Sequence, residues 1–449
     1  FKTTIQKNKS DPIMLEAFNN LFMSIAEQMG VTLQKTSSSV NIKERLDFSC
    51  AIFDKRGNLI ANAPHIPVHL GSMSESVKSI LKQNKKSLRP GNFYMLNSPY
   101  NGGTHLPDLT IITPYLDKIK NKVLFYFANR AHHSDVGGIS PGSMPAFSKN
   151  IYEEGIIFKG FPILKKGTIM EKEVLKKLKK NKYPSRDAAL NLSDIKAQVA
   201  STTKGITEMD RIINTYGIKN VLKYVKFIQE NCTKIVRKTI RKLPKTKFKV
   251  FMDNKAELNL LMFFDKKTKN LIIDFKGSSE ALPNNFNTPT AVTKSVVIYF
   301  LRTLIKENIP LNEGFLEEVK IKIPDNSMLK PKSPAPVVAG NVETSQSIID
   351  LLNGSVKVQA ACYGTMSNLT FGDGKFGYYE TICGGEGASP DQKGNDAVHC
   401  HMTNTSITDA EILEWNYPVR LKSFSIRKKS GGIGKYNGGN GTIRELYFL

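Results

Sequence analysis

The sequence predicts a multidomain protein of mixed α and β structure, with antiparallel β-hairpins toward its N-terminal end and a helical middle segment. Three observations predict this. Behind Asp11-Pro12, apolar residues recur at helical spacing (Leu15, Phe18, Leu21, Phe22, Ile25, Met29). Short runs rich in β-branched and aromatic residues, FYML (93–96), LTIITPYL (109–116) and KVLFYFAN (122–129), are separated by polar, turn-forming segments. Residues 184–243 keep a helical, lysine-rich pattern up to Pro244.

Taken in order, Asp11 is the expected cap of the first helix and Pro12 its first turn, where a missing N–H costs nothing. DFSCAIFDKRGNLIA (47–61) reads as a hairpin turning at Lys55-Arg56-Gly57, and residues 74–88 as an amphipathic helix. Beyond Pro244 come strands in KVFMD, LNLLMFF and NLIIDF, then a helix near 290–307. A β-rich region follows, with glycine-rich connectors at 372–377 and 384–387 and a glycine-rich end, SGGIGKYNGGNGTIRE. No repeat of fixed period is visible. Boundaries are expected near 165 and 245: residues 1–165 an α/β domain, 166–245 a helical segment, 246–449 a β-rich domain.

At 449 residues the chain can bury sizeable cores, and it has no long uncharged apolar run. Five scattered cysteines with no CxxC suggest reduced thiols in a cytoplasmic setting. Phe1 is not an initiator methionine, so the sequence is expected to lack an upstream segment of the protein. The net charge of +24 invites a nucleic-acid reading, but 52 of the 64 basic residues are lysine and only 12 arginine. They fall in turns and on helix faces, as in KQNKK (82–86), KKLKKNK (176–182) and KTKFK (245–249), a solvated surface rather than a nucleic-acid groove. Neither a nucleic-acid nor a membrane partner is expected.

Only seven histidines occur, and THLPD (104–108) and AHHSD (131–135) hold three of them. If the strands 109–116 and 122–129 fold about a turn centred near Ile119, His105 lies opposite His133 and Asp108 opposite Arg130, with His132 one step along. That hairpin gathers His105, Asp108 and His132 or His133 in any global fold. Two imidazoles and a carboxylate suit a divalent metal (Zn, Mn or Fe) with positions left for water or substrate. The competing reading is a hydrogen-bonded strand end with Asp108 paired to Arg130. Glycines at 102–103 and 137–138 allow close backbone approach. In HIPVH, an extended backbone would turn His65 and His69 to one face, to complete the metal site, to bind substrate, or to serve a hydrogen-bonded packing role. His399 and His401 flank Cys400, whose thiol reads as structural, and the glycine-rich end lacks the GK[ST] of a P-loop.

Nine stretches, DPIMLEAF…IAEQMG, NIKERLDFSCAIFD, HIPVHLGSM, GTHLPD, AHHSDVGG, GNVETSQ, YYETICGGEGA, HMTNT and SGGIGKYNGGNGTIRE, together resemble the hydantoinase B/oxoprolinase family. The family includes B-type subunits of ATP-dependent N-methylhydantoinases, the corresponding half of 5-oxoprolinase, and subunits of acetone and acetophenone carboxylases. The resemblance implies an ATP-binding A-type partner that activates the substrate by phosphorylation, and hence a hetero-oligomer. It implies a B-type chain that completes hydrolysis of a small cyclic amide at a metal site, Mn or Zn. Carried over residue by residue, the ligands are His105, Asp108 and His132. In the mechanism this suggests, Asp135 is a candidate to orient a histidine, and Arg130 either pairs a substrate carboxylate or phosphate or forms an ion pair with Asp108 or Asp135, with His133 beside them. His65, His69 and His401 would line the substrate. The alternatives are a ketone carboxylase subunit and a non-catalytic assembly subunit. Asn437 stands where relatives often carry arginine, and family chains usually continue past this point, which implies a missing C-terminal piece.

Overall fold

The computed structural model describes residues 10–63, 65–69, 71–84, 88–89, 91–117, 122–165, 167–307 and 309–449. Asp11 caps α1 (Pro12–Thr36) by accepting the Ile13 N–H at 2.9 Å, and the helix buries Phe18, Phe22, Ile25, Met29 and Leu33. Leu15 and Leu21 sit at the edge of that stripe, half-buried. After the short α2 (Val40–Lys43), β1 (Phe48–Asp54) and β2 (Leu59–Asn62) form the expected hairpin. Its turn uses Gly57 at φ 82°, a conformation that favours glycine.

Helix α3 (Ser72–Asn84) begins two residues before the expected start, and the expected end at 85–88 falls mainly on 85–87, outside the described residues. Strands β3 (Phe93–Leu96), β4 (Asp108–Leu116), β5 (Val123–His132), β6 (Lys159–Lys165) and β7 (Thr168–Ile169) complete a seven-stranded antiparallel sheet. Its order is β2-β1-β5-β4-β3-β6-β7, which places β4 and β5 in the interior. The lysine-rich middle is α4 (Glu171–Lys179), α5 (Ala188–Tyr216) and α6 (Ile218–Ile240). Gly217, at φ 75°, breaks the expected continuous helix between the last two.

Strands β8 (Thr246–Phe251), β9 (Glu257–Asp265), β10 (Asn270–Asp274) and β11 (Val319–Lys322) form a second sheet, in which only β10 and β11 run parallel. Helices α7 (Thr290–Thr303) and α8 (Thr344–Val356) pack on each other, α8 also against β8 and β9 and α7 against α3. Two hairpins, β12 (Asn368–Gly372) with β13 (Gly377–Thr381) and β14 (Val419–Ile426) with β15 (Thr442–Phe448), end the chain, with α9 (Ala410–Asn416) between them. Among the described residues no helix is long and apolar enough to cross a membrane.

Strand alternation divides the large sheet between two cores. Ile52, Phe125 and Phe127 pack with α1, α5 and α6, whereas Phe53, Tyr126 and Ala128 face α3, α7 and the second sheet. Being covered on both faces, β1, β4 and β5 read as near-continuous apolar runs.

A buried carboxyl links the two halves. Glu154 Oε1 accepts the Val337 and Val338 N–H groups at 2.9 and 3.1 Å and the Ser148 hydroxyl at 2.8 Å. Oε2 is buried with no partner among the described residues. Burial raises the Glu154 pKa from 4.5 to about 8, against the pull of those donors. Over that window the folded chain holds a proton that the unfolded chain has released, so stability falls as pH rises, by an amount on the order of a few kcal/mol. Glu154→Gln keeps an oxygen acceptor and cannot ionise. Its thermal midpoint is expected to lose this pH slope, and an unchanged slope would count against a protonated Glu154.

Candidate active site

The site is built where β4 begins and β5 ends. Gly103 starts the approach: a Cβ there would lie 2.2 Å from the Asn97 carbonyl oxygen. The Asn97 amide then pins the loop by donating to the Leu106 and Ile156 carbonyls at 2.7 and 2.8 Å. Gly103→Ala is therefore expected to shift the loop carrying His105 and Asp108 while the sheet persists, and to weaken the binding of any metal these residues hold. Metal titration followed by circular dichroism checks this, and undiminished affinity would contradict it.

The register pairs Asp108 with His132, and Arg130 with Thr110. This corrects the expected pairing of Asp108 with Arg130 and of His105 with His133, an offset of two residues. The strands carry an irregularity between Tyr115 and Leu116, and the expected turn centre, Ile119, lies outside the described residues. An even offset leaves the faces unchanged. His132 therefore shares a face with Asp108, and His133 falls on the other.

Around Asp108 the side chains converge. His105 Nε2 and His132 Nδ1 each lie 3.1 Å from Oδ1; His69 Nε2 lies 3.3 Å from Oδ2, which also accepts the Thr104 hydroxyl at 2.5 Å. All four of these side chains that carry the cluster's imidazoles and carboxylate are at most 2 % exposed. His69 reaches Asp108 because residues 67–69 form one turn of 3₁₀ helix rather than the expected extended segment, and Ser49 Oγ holds its Nδ1 at 3.1 Å. Burial opposes ionisation of Asp108, but the His105 and His69 charges and the hydrogen bonds from His105 and His132 hold its carboxyl well below the usual range. Burial lowers the His132 pKa despite Asp108, which favours a neutral imidazole with a free lone pair.

These residues fit a divalent cation. Donor atoms of His105, Asp108 and His132 lie within 4.8 Å of one another. Asp108 accepts from one nitrogen of each ring, but the other nitrogens, His105 Nδ1 and His132 Nε2, are buried without a hydrogen-bond partner among the described residues, leaving polar demand that the protein does not meet. Imidazole nitrogen with carboxylate oxygen suits Zn or Mn.

The cover comes from the C-terminal half. Tyr379 stacks on His132 with ring centroids 4.3 Å apart. Arg45, fully buried, donates to the Tyr379 carbonyl at 2.7 Å and to the Thr381 and Thr405 hydroxyls at 3.1 and 3.3 Å. The HMTNT segment runs beside HIPVH, the Val68 N–H meeting the Met402 carbonyl at 3.3 Å.

Other expected site residues lie elsewhere. Arg130 donates to Thr110, Ser72 and Ser76 hydroxyls at 2.8, 2.5 and 2.8 Å, so its hydrogen bonds go neither to Asp108 nor to Asp135. Burial brings its pKa down to about 10, with Asp108 opposing. Asp135 orients no histidine: it pairs with Arg186 at 2.9 Å and accepts the Gly137 and Gly142 N–H groups at 2.9 and 3.0 Å. His133 bonds Gln198 and Asn191 of α5, each at 3.1 Å, anchoring the end of β5. His65 accepts the Cys50 N–H at 3.1 Å and meets the Phe48 ring edge-on, a packing role. His401 does not reach Asp108's carboxylate. It meets Cys362 and Asp350 instead, a contact sequence spacing did not reveal.

The hydantoinase B/oxoprolinase family model matches residues 11–449. The chain belongs to that family. Within it, the chain is 46 % identical over 448 residues to a 5-oxoprolinase of Dictyostelium discoideum, covering 98 % of this chain and 35 % of that protein. It spans about a third of the length of this and the other first-ranked curated relatives. Among solved structures, the ATP-dependent caprolactamase of Pseudomonas jessenii superposes with a TM-score of 0.88 at 22 % identity, over 98 % of this chain and 79 % of that one. Acetone carboxylase in its nucleotide-free form gives 0.83 at 15 % identity, over 97 % and 62 %. At these identities the two structures establish the fold, mixed α and β with several antiparallel sheets.

Proposed function

We propose that the chain is the B-type part of an ATP-dependent cyclic-amide hydrolase of the 5-oxoprolinase kind. The observation that carries this reading is the convergence of His69, His105 and His132 on one buried carboxylate, Asp108, in a chain of this family. A cyclic amide is resonance-stabilised and unstrained, so opening it with water is slow unless its carbonyl oxygen becomes part of a leaving group. Phosphorylation by an ATP-binding A-type half, either a separate subunit or the remainder of a longer chain, supplies that activation.

His69, His105, His132 and Asp108 would hold the metal, Mn or Zn. Such an ion polarises carbonyls and lowers the pKa of water. The rest falls to this chain's own groups. Asp108 stays ionised, Thr104 and Ser49 fix the orientation of Asp108 and His69, and Tyr379 with the Arg45 anchor keeps bulk water from the imidazoles. Arg130 acts through Ser72, Ser76 and Thr110, tying α3 to the hairpin, rather than as an anion clamp.

The test combines the chain with its A-type half and measures ATP-dependent turnover of 5-oxoproline and of hydantoin, with acetone plus bicarbonate as a parallel arm. Ring opening of a cyclic amide is expected. Carboxylation of acetone in its place would assign the chain to the ketone carboxylases, and a metal-free chain inactive in every arm would leave an assembly role.

A further inference from the structure

A second cluster of donors lies away from Asp108. His401 Nε2 is 3.1 Å from Cys362 Sγ and 3.7 Å from Asp350 Oδ1, and the three donor atoms lie within 4.8 Å of one another. In a thiol–imidazole–acid relay, thiol and carboxylate sit on opposite ring nitrogens, because the acid orients the base from behind. Here both approach the same nitrogen, while Nδ1 is turned to the Tyr299 hydroxyl at 3.4 Å. One Nε2–H shared between two acceptors bonds each only weakly, whereas a cation between them receives a lone pair from each. Fixing the remote ring nitrogen by a hydrogen bond is how metal-binding imidazoles are oriented.

Further observations agree. His401 adopts φ 56°, a left-handed backbone that costs a non-glycine residue on the order of 1 kcal/mol and persists only where its surroundings impose it. The Gly387 N–H points at Cys362 Sγ from 3.2 Å, as it would toward a thiolate, and the Cys362 N–H bonds Asp350 Oδ1 at 3.2 Å. Cys362 also lines a cavity of about 600 Å³ bordered by Gly384, Gly385, Arg427 and Tyr436.

We propose that Cys362, His401 and Asp350 form a second cation site, separate from the one at Asp108, for a thiophilic divalent ion of the Zn²⁺ type, with its remaining coordination positions opening on that cavity. Thiolate sulfur, imidazole nitrogen and carboxylate oxygen are the three ligand classes Zn²⁺ takes, and three protein ligands leave room for an exogenous one.

Cobalt(II) substitution of the full chain tests this, because only a sulfur ligand produces thiolate-to-cobalt charge-transfer absorption in the near ultraviolet. The nitrogen and oxygen donors around Asp108 cannot. The band is expected in the native chain, lost in Cys362→Ser and in His401→Gln, retained in Asp108→Asn and Cys383→Ser, and bleached by added Zn²⁺. No band in the native chain at saturating cobalt overturns the proposal, as does a band that survives in folded Cys362→Ser. A measurement on the native chain guards against a misfolded variant. Zn²⁺ is expected to abolish iodoacetamide labelling of Cys362, mapped by mass spectrometry, and equal labelling with and without Zn²⁺ identifies a free nucleophile instead. Retention of the band in Asp108→Asn keeps this outcome separate from the fate of the hydrolase reading.

Discussion

Asp108→Asn is expected to lose ATP-dependent turnover and the metal ion of the Asp108 centre while keeping its fold. The substitution is nearly isosteric, so the β4–β5 register and the Asn97 anchors remain. What disappears is a negative charge that His69, His105 and His132 approach within 3.1–3.3 Å and that Thr104 steadies. An amide leaves one oxygen acceptor and turns an NH₂ group against either the His105/His132 pair or the His69/Thr104 pair. Outer-shell substitutions at metal sites typically weaken binding roughly 10–100-fold, and loss of the central ligand should exceed that. Elemental analysis after dialysis and turnover with the A-type half would read both effects. A folded variant with native metal content and native rate would remove Asp108 from the chemistry.

Phe18→Ala is expected to cost about 3–5 kcal/mol, the usual loss when a large buried aromatic side chain is truncated and the cavity collapses incompletely. Phe18 is fully buried and stacks on Tyr224, with centroids 4.5 Å apart and planes 7° from parallel; Tyr216 and Phe22 lie 5.1 and 5.8 Å away. Such ring pairs add about 0.5–1.5 kcal/mol beyond the area they bury. Ile13 on the same helix is 78 % exposed, and Ile13→Ala should stay within about 0.5 kcal/mol of the native chain. Denaturant unfolding of the two variants makes the comparison, and similar losses would show that the α1 stripe does not hold the helix to α5 and α6.

These two residues also show what sequence reasoning reaches. The Phe18 stripe and the Asp11 cap are local periodicities, and so were legible. The His105–Asp108–His132 cluster was legible because a hairpin brings its ends together whatever surrounds it. Its register was not: the irregularity at Tyr115/Leu116 accounts for one of the two residues and the Asp117–Lys122 turn for the other, and neither leaves a signature in residue type. His69 was placed on the right segment with the wrong backbone, since Pro67 permits an extended chain as well as a 3₁₀ turn. Asp135 pairs with Arg186, fifty-one residues along the chain, and Cys362 meets His401 thirty-nine residues on. No periodicity links such partners. Tyr379 and Arg45 were equally hidden, although NIKER and YYETI both lie in stretches that carry the family resemblance.

The Arg45 anchor constrains how the molecule comes into being. Its hydrogen bonds join residues 334 to 360 positions apart, so during synthesis the guanidinium stays hydrated long after β1 has emerged. Closing so large a loop is slow, and the desolvated charge finds its acceptors only when Tyr379, Thr381 and Thr405 arrive together. Until that moment the His132 ring lacks its aromatic roof and the histidine cluster stays open to ions from solution. If the cluster holds a metal as proposed, that ion would be free to enter before the hairpin closes over it.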